Sequence, residues 1–128
     1  MNMHDALFWL YLVNSVVLIN HEIESAYWRE WELFRIPGGI TGFLLIHFPV
    51  LFVMFYGLAS LKERETTGLV ISLLVSLGGL FAFCAHSWFI RQGRTEFTLP
   101  ISRLILAVTL ALSVAQGALT LYLLLMGG

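Results

Sequence analysis

Residues Gly68 to Ile90 read GLVISLLVSLGGLFAFCAHSWFI, a run without one Asp, Glu, Lys or Arg. A helix needs about 20 apolar residues to cross the hydrocarbon core of a bilayer, and this run supplies them. Lys62-Glu63-Arg64-Glu65 ends the apolar character on one side, and Arg91-Gln92-Gly93-Arg94 ends it on the other. Outward from it, Ala6 to Ala26, Ile40 to Leu61 and Leu99 to Met126 are apolar stretches of similar length. Arg35-Ile36-Pro37-Gly38-Gly39 separates the first two, because Pro cannot continue a helix and Gly permits a turn. The pattern predicts an all-α, polytopic membrane protein. It is a single transmembrane domain over residues 1–128, an antiparallel four-helix bundle with spans at about 6–26, 40–61, 68–90 and 99–126.

Composition agrees with lipid as the main solvent. Hydrophobic residues make up 59% of the chain and charged residues 12%, and the mean hydropathy is +0.85. Soluble domains average roughly 45–50% and about 25%, and a chain this short has too little interior to hide such an excess from water. The net charge of −1 removes any electrostatic argument for nucleic acid. Cys84 is the one cysteine, so no intrachain disulfide forms. The first stretch is expected to stay in the mature protein, since Met1-Asn2-Met3-His4-Asp5 lacks a positively charged n-region. Arg29, Arg35, Arg91, Arg94 and Arg103 fall on one side of the spans, against Lys62 and Arg64 on the other. By the positive-inside rule the first and third connections are cytoplasmic and both termini outside.

Polar residues inside the spans carry the functional information. Ser102, Thr109, Ser113, Gln116 and Thr120 recur at helical spacing, as do Ser72, Ser76, Gly79 and His86. These rows are expected to face protein, and Ala107, Ala111 and Ala115 to let helices approach closely. Titratable groups in hydrocarbon cost several kcal/mol and commonly face a bundle interior or a watery cavity. In an up-down arrangement the ends of spans one and three share a membrane side with the starts of spans two and four. At about 1.5 Å per residue, His21, His47, His86 and Arg103 then lie within about 10 Å of that surface. Glu24 follows His21 by three residues and Asn14 precedes it by seven, so one stripe carries all three.

His21, Glu24, His47 and His86 therefore form a candidate ligand set for zinc or iron, with Glu22 and Glu24 as candidate acid/base catalysts. Asn14, Arg103 and Gln116 would line the same polar interior. A haem held by His47 and His86 is a further option. The spacing matches no standard zinc or di-iron signature, because Ser25 stands where a His-Glu-x-x-His motif needs histidine. A small transporter or channel, acting as a homodimer, is a second reading, and an accessory subunit of a larger membrane complex a third.

Between His21 and Gly39, Ile23, Tyr27, Trp31 and Phe34 form an apolar stripe, while Glu22, Arg29, Glu30, Glu32 and Arg35 occupy other faces. The segment is expected to lie amphipathically in the interface after the first span, as an aromatic belt or as a lid over the histidines that admits a lipid-like molecule from the bilayer. The stretch NHEIESAYWREWELFRIPGG, Asn20 to Gly39, resembles an uncharacterised family of short bacterial four-span membrane proteins. That resemblance implies a four-span fold and a bacterial inner (plasma) membrane, and no assigned activity. The chain is also similar in size to the small multidrug exporters, but Asn14 stands where their embedded glutamate would be.

Overall fold

The computed structural model describes residues 1–127. Five helices follow in order: α1 Met3–Tyr27, α2 Glu30–Leu33, α3 Gly39–Lys62, α4 Thr66–Arg91 and α5 Pro100–Leu125. No strand occurs among the described residues. All but α2 are long and apolar enough to cross a membrane. Local chemistry sets their ends. Asn2 caps α1 by accepting a 2.9 Å hydrogen bond from the Asp5 N–H, and Asp5 faces the positive end of the helix dipole. Pro100 opens α5, where its missing N–H costs nothing.

The apolar stripe expected across His21 to Gly39 is divided between two helices. Arg29 takes a left-handed conformation, φ 54°, which ends the run of α1 and turns the chain into the single turn of α2. Ile23 and Tyr27 consequently remain exposed on α1, whereas Trp31 is buried with its ring 5.6 Å from that of Phe43 on α3. Gly38, φ 95°, then supplies the left-handed cap from which α3 starts.

α5 packs against α4 and α1, and α3 against α4 and α1. Across these seams the polar rows are zipped together. The fully buried Asn14 donates through Nδ2 to Gln116 Oε1 at 2.9 Å and to Ser113 Oγ at 3.1 Å. Gln116 Nε2 donates to the Ser72 carbonyl at 3.0 Å and to Ser72 Oγ at 3.1 Å, and Ser72 Oγ shares a 2.8 Å bond with Thr120 Oγ1. Ser76 Oγ donates to the Ser113 carbonyl at 2.6 Å. Tyr11 ties α1 to α3 through a 2.6 Å bond to the Met54 carbonyl. These residues hydrogen-bond from helix to helix.

The close approach of α4 and α5 comes from glycines. A Cβ on Gly79 would collide with Ser113 Oγ, and one on Gly117 would press on Ser76 Oγ at 2.5 Å. Ala107, Ala111 and Ala115, expected at such a contact, face outward instead. Gly78, next to Gly79 but rotated by about 100°, would place a Cβ in open space. Gly79→Leu is therefore expected to cost about 1–3 kcal/mol by overpacking, while Gly78→Leu leaves stability unchanged or higher. Thermal unfolding of both variants in detergent checks the contrast.

Candidate metal centre

Three side chains of types that can ligate a metal meet at the end of the molecule where α1 and α4 finish. His21 comes from the last turns of α1, His86 from the last turns of α4, and Glu30 from α2. One potential ligand atom from each lies within 4.8 Å of the others. His86 Nε2 is 3.6 Å from Glu30 Oε1. That is too long for a hydrogen bond, but close to the ~3.3 Å that separates two ligands about 2.05 Å from a tetrahedral ion. The two imidazoles meet edge to face, with ring centroids 4.6 Å apart. Both histidines are only 1% exposed.

Phe97, in the connection between α4 and α5, closes the cluster. Its ring centroid lies 4.0 Å from that of His86 and 5.7 Å from that of His21, and only 1% of the residue is exposed. Phe97 holds a left-handed φ of 64°, which costs a residue other than glycine about 1–2 kcal/mol. The conformation drives an apolar ring over the histidines and shields them from water.

Inside this enclosure several polar atoms are buried without partners: His21 Nδ1, His86 Nδ1, Glu30 Oε2 and Ser25 Oγ. Each unmet buried group costs about 1–3 kcal/mol. Burial pushes the Glu30 carboxyl up, but His86 and Ser25, with the charge of His21 behind them, outweigh it and hold the carboxyl below its ordinary value. Glu30 is therefore a carboxylate at neutral pH.

The residues singled out from sequence occupy three separate places. Successive helical residues are rotated by about 100°, so His21, Glu22 and Glu24 point in different directions. His21 shares its face with Ser25, one turn on. Glu22 turns to α3, where its Oε2 lies 2.7 Å from His47 Nε2. Glu24 turns to α5, where Oε1 accepts from Ser102 Oγ and, at 3.3 Å, from Trp28 Nε1. Glu24 Oε2 remains buried and unpartnered. His47 is engaged by Glu22 and by the Phe43 carbonyl. Asn14 and Gln116 belong to the polar zip deeper in the structure, and Arg103 is exposed at the start of α5.

Glu30 is the member of the cluster that helical spacing assigned to another face. Extending α1 would carry it onward along the helix axis, whereas the left-handed turn at Arg29 brings it back over His86. A sequence signal for that turn is weak, because Arg has no preference for the left-handed region.

The fold and this cluster define an all-helical protein with four helices of membrane-crossing length and a buried pair of histidines facing one carboxylate. The chain belongs to the family of unknown function DUF6713, whose family model matches residues 7–123. No curated protein and no solved structure is significantly similar to it.

The Glu30 carboxylate gives the site an acid limb. Because its pKa is depressed in the folded protein, its contribution to stability is present above the ordinary carboxylate value of 4.5 and is lost as pH falls through the folded value. Thermal stability in detergent is expected to drop as pH is lowered from about 6 to about 3, and Glu30→Gln to flatten that drop. A pH titration of unfolding temperature, parent against variant, measures the difference.

Proposed function

We propose that the protein is an integral membrane metalloprotein that binds one divalent transition ion, zinc or iron, through His21, Glu30 and His86. The observation that carries this reading is the convergence of three potential ligand atoms within 4.8 Å in a buried setting. Two imidazoles and a carboxylate are a ligand set shared by catalytic zinc sites and non-haem iron sites, and both keep a position open for water, dioxygen or substrate. A bound ion would also satisfy polar groups that burial otherwise leaves unmet.

In this reading α1, α3, α4 and α5 cross the membrane as an antiparallel bundle, and α2 lies at the interface on the side where α1 and α4 end. The arginines at that end favour the cytoplasmic face of a bacterial inner membrane. Held by His21, Glu30 and His86, a bound ion would supply Lewis acidity toward a substrate oxygen or water. The chain's own part is to hold and shield it. His21 and His86 present nitrogens from two rigid helices, Glu30 supplies the negative charge, and Phe97 excludes water. Glu24 lies one turn along α1 from His21, fixed by Ser102 and Trp28 with Oε2 unpartnered, and is the candidate acid/base.

Elemental mass spectrometry of protein purified in detergent from cells supplied with zinc and iron tests the reading. About one equivalent of metal per chain is expected in the parent and in His47→Ala. His21→Ala and His86→Ala are expected to lose it. Metal-free parent protein, or histidine variants that retain the ion, would overturn the proposal.

A further inference from the structure

A second feature lies beside the polar zip, where α1 meets α3 and α4. Leu18, Ile19 and Glu22 of α1, side chains of α3 that include Pro49 and Val53, and one face of α4 that includes Leu74 and Gly78 enclose a cavity of about 400 Å³. That volume falls in the range of small-molecule sites, about 300–1,000 Å³. Its origin is visible in the chain. Pro49 removes the N–H that would bond the Leu45 carbonyl inside α3, and Gly78 and Ala82 leave the facing wall of α4 without bulk. Pro49, Val53, Leu74 and Gly78 are exposed at its rim, whereas Leu18, Met54 and Ile71 are buried at its back. The rim faces the surface that a bilayer would cover, so the opening is lateral.

Glu22 is the one charged side chain in this lining. Its Oε2 faces His47 Nε2 at 2.7 Å, and His47 Nδ1 lies 2.7 Å from the Phe43 carbonyl. A carbonyl only accepts, so Nδ1 carries a hydrogen. The Nε2 to Oε2 contact then holds one proton between its atoms, on either side. Either way the pair is neutral overall. It leaves Glu22 Oε1 as a hydrogen-bond acceptor at the cavity wall, one-third of that side chain being exposed. No Lys or Arg lines the cavity and the Glu22–His47 pair is neutral, so a phosphate head would lose its hydration with no cationic side chain to pair with.

We propose that this cavity binds a neutral single-chain lipid bearing a hydroxyl group, with its hydrocarbon between α3 and α4 and its hydroxyl donating to Glu22. Such a molecule would lie beside the metal centre, since Glu22 adjoins His21 on α1 and Ala82 precedes His86 by one turn on α4. The ligand is then the substrate class of that centre. This last step rests on the metal-centre reading, whereas occupancy of the cavity does not.

The test is photo-crosslinking with a diazirine-bearing hexadecanol, using the full chain in nanodiscs of dioleoylphosphatidylcholine, with peptide mapping and metal content measured on the same samples. Label is expected on Val53 and Leu74 in preference to the outward Phe81 and Leu121, and unlabelled hexadecanol is expected to displace it. Hexadecyl phosphate and hexadecyltrimethylammonium are expected not to displace it. Gly78→Leu fills the cavity without a steric clash and is expected to lower the labelling about tenfold. Ala82→Leu is a second filling variant, and Glu22→Ala removes the acceptor. Thermal unfolding of these variants at or above the parent's temperature confirms that they fold. Even labelling of all lipid-facing residues, undiminished labelling in both filling variants, or equal displacement by the charged amphiphiles overturns the proposal. Selective labelling of a metal-free protein keeps the lipid site and removes the metal reading. One equivalent of metal with even labelling does the reverse.

Discussion

The 2.9 Å hydrogen bond from Asn14 Nδ2 to Gln116 Oε1 fixes how α1 is rotated against α5, and most of the structure depends on that rotation. Both side chains are fully buried. At full burial no water substitutes for a lost partner, so a small axial turn of α1 would leave the Asn14 and Gln116 amides, and through them Ser72, unmet. The rotation is thereby held at one value. It carries His21, two turns further on the same face, toward α4 and His86. It also turns Glu22 to α3 and Glu24 to α5, so that three neighbouring residues enter three environments.

The same seam sets how closely the helices pack. Gly79 and Gly117 let α4 and α5 approach until serine hydroxyls sit against glycine backbone, which brings Ser76 within reach of the Ser113 carbonyl. Packing is tight on this side and loose on the other. Between α1, α3 and α4, Pro49 and Gly78 remove atoms where the α4–α5 seam is filled, and a lateral cavity results. In the readings proposed above, the tight half would hold ligand atoms at fixed separations and the loose half would admit a chain from the bilayer. The two halves adjoin at His21 and Glu22.

Strain and unmet polarity concentrate at the end where α1 and α4 finish. Arg29, Arg35 and Phe97 take left-handed conformations there, and His21, Glu24, Ser25, Glu30, Glu96 and His86 keep buried polar atoms without partners. Elsewhere Asn14 Oδ1, Ser15 Oγ, Thr109 Oγ1 and His4 Nδ1 also lack partners, while Gln116, Ser72, Ser76 and Thr120 satisfy one another across the seams. Local cost gathered at one place is the pattern of a binding site held ready by the rest of the fold.

The four long helices were legible from sequence because their determinant is local: about 20 apolar residues between charges form a membrane-length helix whatever the neighbours do. The polar rows of α4 and α5 were legible for the same reason, since helical periodicity alone puts Ser72, Ser76, Ser113 and Gln116 on inward faces. Depth arithmetic likewise placed His21 and His86 at one level. Rotation about the helix axis is not local. Whether Glu22 or Glu24 accompanies His21 depends on an angle of tens of degrees set by the Asn14 contact, and whether His47 joins them depends on the seat of α3 against α1. Glu30 enters only because the backbone reverses at Arg29, a residue type with no sequence signal for that turn. The chain by itself determined which long segments are helices and how far along its helix each titratable group lies. The tertiary structure decided which of those groups touch, because contact between helices is fixed by rotation and packing that no single segment contains.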